Sequence, residues 1–177
     1  GRAHRRHRDP RAGGRGHDPP PSVLGLRHRV LKERVKQQIG QGGVTLEGLL
    51  IDYVVVNEIE VAQLSGLFSR CANEVSIAAE RLTEMGARNV IVTRGGEGVL
   101  WSGEADEGEL PAHAVEVRDT VGAGDTFAGA LAAALADGKP LAEAAAFANA
   151  AGALGTTKLG AQAAMPDRDE VTRLLRT

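Results

Sequence analysis

Two apolar runs constrain the fold more than anything else in the chain. Ile51-Asp52-Tyr53-Val54-Val55-Val56 and Val90-Ile91-Val92-Thr93 are rich in β-branched residues and hardly alternate with polar ones. A strand with one wet face alternates; a strand covered on both faces reads as a continuous run. Between the two lies helical pattern. Residues 57–64 form one short helix that Gly66 stops. Residues 73–85 carry Val75, Ala78, Ala79, Leu82 and Met85 at helical spacing, with Gly86 as the stop. Strand, helix, strand predicts a right-handed parallel crossover, hence an α/β protein with helices on the faces of a mostly parallel sheet.

The rest of the folded part follows from punctuation. A tight turn over 95–98 leads into a third strand at 99–101. Residues 104–110 read as an acidic surface loop and 112–117 as a further strand. Residues 126–136, almost all Ala and Leu, predict a buried helix. Residues 137–140 break it, and 141–154 form another alanine-rich helix. Residues 155–160 read as a loop. Asp167 and Glu170 have capping-box spacing and start a last helix that runs to about residue 175. Aromatics are 3% of the 177 residues, so the core must be aliphatic.

Charge divides the chain. Residues 1–44 hold 11 Lys and Arg against 3 Asp and Glu; residues 45–177 hold 10 against 20. Residues 1–22 are Arg, Gly, His and Pro with almost nothing to bury, and 23–39 make a weak amphipathic helix before a turn at 40–43. The expectation is a basic segment over 1–44, disordered or read out of frame, and a folded part over 45–177. The basic arm alone would suit nucleic acid, but the acidic remainder and scarce aromatics disfavour it. No run is long enough for a membrane span and no apolar signal core is present. One cysteine, Cys71, allows no internal disulfide, so a reducing, cytoplasmic location is expected.

The stretch that carries chemistry is Asp119-Thr120-Val121-Gly122-Ala123-Gly124-Asp125-Thr126-Phe127. Gly122 and Gly124 let a backbone approach a ligand, and the helix that starts there offers unpaired N–H groups to an anion. Asp125 falls in the first turn. A cradle for an anion with a carboxylate beside it fits phosphoryl transfer to a hydroxyl; Asp125 also fits a plain capping residue. Both readings stand at this point.

Other stretches decide between them. Asn57-Glu58-Ile59-Glu60 resembles an N-x-x-E motif, and Val92-Thr93-Arg94-Gly95-Gly96-Glu97-Gly98-Val99 a nucleotide-binding turn. Asp119–Phe127 resembles the signature D-T-x-G-A-G-D-T-F. Phe147-Ala148-Asn149-Ala150-Ala151 and Lys158-Leu159-Gly160-Ala161-Gln162 are similar to two closing segments. In this order they identify the chain, from Asp52 on, as similar to the C-terminal half of the ribokinase-like, phosphofructokinase-B-type sugar kinases. The resemblance implies a three-layer α/β/α fold, truncated on its N-terminal side and without the lid.

It also implies roles. Asp125 would be the base that deprotonates a sugar hydroxyl, D-ribose foremost. The N–H groups of Gly122, Ala123 and Gly124 would hold the transferring phosphoryl group. Thr93, Arg94, Gly95, Gly96, Glu97 and Gly98 would line ATP, with Gly124, Asp125 and Asn149 at its border. Asn149 has no evident packing reason inside an alanine-rich helix. Asn57 and Glu60 would hold the Mg²⁺–phosphate end through water; Asn57 also suits a helix cap. A monovalent cation, K⁺, would take Asp119 with the carbonyls of Val121, Gly155, Lys158 and Gly160. Ala164 stands where such sequences can offer a hydroxyl. Asp119 alternatively fits a loop carboxylate bonded to nearby N–H groups. Nothing in 1–48 resembles the family's acceptor half. The sheet edge would then be uncovered, which allows a homodimer. Two readings follow: a sugar kinase, or a module that binds ATP or a partner without turnover.

Overall fold

The computed structural model describes residues 51–67 and 72–177. The basic arm, the helix expected over 23–39, the turn at 40–43 and Cys71 lie outside the described residues. Strands β1 (Val54–Asn57), β2 (Asn89–Thr93), β3 (Val99–Gly103) and β4 (Glu107–Leu110) form one sheet in that order. Helices α1 (Glu58–Ser65) and α2 (Ala72–Glu84) connect β1 to β2, and α3 (Ala123–Ala136), α4 (Leu141–Gly155) and α5 (Arg168–Leu174) follow β4.

The crossover is as expected: β1 and β2 are parallel, in register from Val54–Val90 to Asn57–Thr93. Among the described residues the other two pairings, β2–β3 and β3–β4, are antiparallel. The sheet is therefore mixed, and its parallel character is confined to β1 and β2. The tight turn at 95–98 reverses the chain at once, and a two-to-four-residue reversal can join only antiparallel strands.

Alternation along the strands builds three layers. Val56, Val90, Val92 and Leu100 face α1 and α2, where they meet Val61, Val75, Ala78, Ala79 and Leu82. Ile91, Val99 and Trp101 face the other way, onto Phe127, Leu131 and Ala134 of α3 and Ala144, Ala145 and Ala148 of α4. Helix α5 packs on α4 through Val171, Ala150 and Ala151. Covering both faces explains why the strand sequences hardly alternate.

Three expectations need correction. Residues 107–110 are a strand, not a loop. Trp101 stands opposite Gly108, and a Cβ there would lie 2.6 Å from its ring. The aromatic covers the glycine and holds an otherwise unpromising Glu-Gly-Glu-Leu run in the ladder. Residues 112–117 are not a strand. Their alternation is real, but Pro111 lacks an N–H and no described strand lies alongside. Helix α3 is not buried all round: Thr126, Phe127, Leu131 and Ala134 are buried, while Gly129, Ala133 and Ala136 are exposed. Among the described residues no helix is long and apolar enough to cross a membrane.

Candidate active site

The parallel pair delivers two motifs to one place. Asn57 ends β1 and Thr93 ends β2, side by side in register. The carboxyl ends of parallel strands are where α/β folds gather ligands. The Thr93 hydroxyl points to the Val56 carbonyl at 3.4 Å. Asn57 also caps α1: its side chain accepts from the Glu60 N–H at 2.9 Å, and Glu60 Oε2 accepts from the Asn57 N–H at 3.1 Å. The N-x-x-E motif is thus a reciprocal capping box that holds Glu60 over the β1 terminus.

The turn after β2 is closed by its own backbone. Arg94 N–H donates to the Gly98 carbonyl at 2.8 Å, Glu97 N–H to Arg94 and Gly98 N–H to Gly95. Gly98 sits at φ +100, and a Cβ there would strike the Leu110 carbonyl oxygen. Gly95 and Gly96 face open space. The Arg94 side chain is nine-tenths buried and its Nη2 pairs with the exposed Glu109 at 2.9 Å. The Arg94 backbone thus closes the turn, while its side chain ends on an exposed carboxylate.

Asn149 has a packing reason after all. It is buried on α4, and its Nδ2 donates to the Pro111 carbonyl at 2.8 Å. It ties down the chain that leaves β4.

The signature stretch forms the start of α3. Gly122 caps the helix at φ +82, and a Cβ on it would sit 2.6 Å from the Ala161 methyl. Only glycine meets both demands. Gly124 lies in the helix with nothing within 4 Å of where a Cβ would be. Its glycine leaves room above the first turn. Asp125 is exposed in that turn. Helix geometry leaves the first N–H groups without intrahelical acceptors. Of the three expected donors, Ala123 N–H is engaged, donating to Thr120 O at 3.2 Å.

Asp119 joins the start of this helix to the loop after α4. Its Oδ1 accepts from Val121 N–H and its Oδ2 from Gly160 N–H, both at 3.0 Å. The Gly160 and Val121 N–H groups hold its carboxyl below the ordinary value of 3.8. The Thr156 carbonyl accepts from both Arg118 and Asp119 N–H. Gly155 packs on Thr126, whose hydroxyl would lie 3.2 Å from a Cβ there. Lys158 pairs with Glu170 at 3.3 Å. Ala164 is buried; its side chain offers no oxygen, and its N–H donates to the Gly160 carbonyl at 3.0 Å. Asn149 and Gly155 share α4, about 9 Å apart along its axis, so one helix links the turn to this loop.

The donor set fits the expected groups to different degrees. Among the described residues no three His, Cys, Asp or Glu side chains could together hold a metal. Glu60 supplies one carboxylate, which suits a Mg²⁺ ligated largely by phosphate and water. A monovalent cation takes carboxylate and carbonyl oxygens, but both Asp119 oxygens and Gly160 O already accept N–H groups. Sequence reasoning missed Glu109, Pro111 and Thr156. Glu109 is hidden in an acidic run, and the other two act through backbone carbonyls, which any residue carries.

Comparison with known proteins agrees with this architecture. The profile described as pfkB family carbohydrate kinase matches residues 36–168. The ribokinase of Bacillus subtilis is 46% identical over 86 residues, which cover 49% of this chain and 29% of that protein. The structure of Arabidopsis thaliana ribokinase complexed with ribose and ATP superposes with a TM-score of 0.67 at 34% identity. It covers 72% of this chain and 41% of that one. Phosphofructokinase-2 of Escherichia coli in complex with potassium gives a TM-score of 0.65 at 25% identity, covering 78% and 42%. The chain thus spans well under half the length of these relatives.

Proposed function

Because the chain belongs to the pfkB family of carbohydrate kinases, we propose that it serves phosphoryl transfer from ATP to a sugar hydroxyl, with D-ribose as the acceptor. The observation that carries this reading is the start of α3. Asp125 stands in its first turn beside an open Gly124, on a helix end fixed by Gly122 against Ala161. A sugar hydroxyl brought there gives its proton to the Asp125 carboxylate. The N–H groups of the first turn, Gly124 foremost, face the negative charge on the transferring group. The turn at 95–98 would line the nucleotide, and Glu60 would help to hold a Mg²⁺, which would supply charge neutralisation at the phosphates. Asp119 and its carbonyl neighbours take K⁺. The choice of ribose rests on ribokinases among the relatives. A reducing, cytoplasmic setting belongs to the same proposal and rests on the single cysteine.

The test is ATP-dependent phosphorylation of ribose and of fructose by the whole chain with Mg²⁺ and K⁺. Ribose should be the better acceptor. Asp125→Asn should cut turnover by about 10²–10⁴-fold and leave ATP affinity nearly unchanged. Full activity in that variant would remove Asp125 as the base. ATP binding without phosphorylation of any sugar would favour a module that binds nucleotide without turnover.

A further inference from the structure

We propose that Asn149 and Glu109 are positioning residues that clamp the end of β4 onto the 95–98 turn and so set the shape in which that turn meets a nucleotide. The inference rests on the reading of that turn as the ATP phosphate and ribose site.

The end of β4 is gripped from one side and grips on the other. From α4, the buried Asn149 side chain holds the Pro111 carbonyl at 2.8 Å. One residue earlier, the Leu110 carbonyl lies where any Cβ on Gly98 would go. One residue before that, Glu109 pairs with Arg94 at 2.9 Å. Arg94 is the residue on which the turn closes, through its N–H to Gly98 and its carbonyl to Glu97. Three consecutive residues, 109 to 111, therefore fix both ends of the turn to a helix of the opposite layer.

The chemistry makes the clamp sensitive. The Arg94 side chain is nine-tenths buried, and its Nε has no hydrogen-bond partner. Glu109, whose own side chain is 64% exposed, is the carboxylate that meets this largely buried cation at the protein surface. Removing that charge takes away the carboxylate partner of the Arg94 guanidinium, and the freed end would turn out to water, loosening the base of the turn. Asn149→Asp replaces the N–H donor with an acceptor that faces the Pro111 carbonyl, turning an attraction into a repulsion. Neither change touches the glycines of the turn.

The test compares Glu109→Gln and Asn149→Asp with the parent chain and with Glu143→Gln. Glu143→Gln breaks an exposed Lys139 pair elsewhere on α4. Amide hydrogen exchange at Glu97 and Gly98, whose N–H groups close the turn, is measured without ligand and referred to Trp101 in β3. Affinity is measured for ATP and for inorganic tripolyphosphate. Both clamp variants should speed exchange in the turn about tenfold and weaken both ligands by a similar factor, about five- to tenfold. Glu109→Asp, which keeps the charge, should recover part of each effect, and Glu143→Gln should change neither. Exchange in the turn that matches the parent overturns the clamp. So does an Asn149→Asp variant that loses ATP but keeps tripolyphosphate, since that marks a direct contact with the base. If the turn loosens as expected but the parent chain binds neither ligand, the clamp is supported and the ATP reading of the turn falls instead.

Discussion

Gly122 and Gly124 are two residues apart and glycine for opposite reasons. Gly122 is at φ +82 with Ala161 pressed against it, so a methyl there meets backbone strain and a clash together. Gly122→Ala should lower unfolding free energy by about 1–3 kcal/mol, read as a drop in the urea midpoint followed by the fluorescence of Trp101. Gly124 has open space and helical backbone. Gly124→Ala should leave unfolding free energy unchanged or raise it by up to about 1 kcal/mol, while ATP affinity falls because the methyl fills the space over the helix end. Loss of stability in the second variant, or unimpaired ATP binding, would sink the idea that the glycine is there for a ligand. Sequence shows two glycines in a motif; the neighbour Ala161, thirty-nine positions on, is what tells them apart.

Helix ends were the most legible elements. Asp167 with Glu170 forms the reciprocal box that its spacing predicts, and Asn57, which suited a helix cap, forms one with Glu60, because capping depends on residues three apart. Gly66 and Gly86 take the positive φ expected of helix stops. Strands were less legible where a distant partner decides: Trp101 makes a strand of 107–110, and the want of a partner leaves 112–117 without one. Asn149 is the sharpest case among the site residues, since its partner Pro111 is far off in sequence. The termini also carry a pH dependence. The N–H of Asp167, aided by Lys158, holds Glu170 below its ordinary 4.5, as Gly160 and Val121 hold Asp119 below 3.8. Folded values below the unfolded ones mean that these carboxylates stabilise the fold fully above about pH 4.5. The contribution is lost as the pH falls through the lowered values. The thermal midpoint should therefore decline on that acid side, and an Asp119→Asn, Glu170→Gln double variant should start lower at neutral pH and decline less. An identical acid decline in the variant would show that other groups govern it.

At the scale of the molecule, layer assignment and the parallel β1–β2 pair were readable, and the antiparallel sense of β3 and β4 was not. The β-branched runs at 51–56 and 90–93 announce a sheet covered on both faces, which the two helical layers supply. The antiparallel sense of β3 and β4 depends on a reversal at 95–98 that also serves the candidate site. That mixed pairing divides the sheet into two kinds of neighbour. β2, β3 and β4 follow one another along the chain, whereas β1 reaches β2 only after both α1 and α2 have been passed. Closing a short loop costs less entropy than closing a long one, and local pairings form sooner. The sheet therefore has a direction in time. In a pulse-labelled refolding experiment, the amides of Val99–Gly103 should become protected before those of Val54–Asn57, so that the strand bearing Asn57 arrives last, on a platform that its partners have already finished.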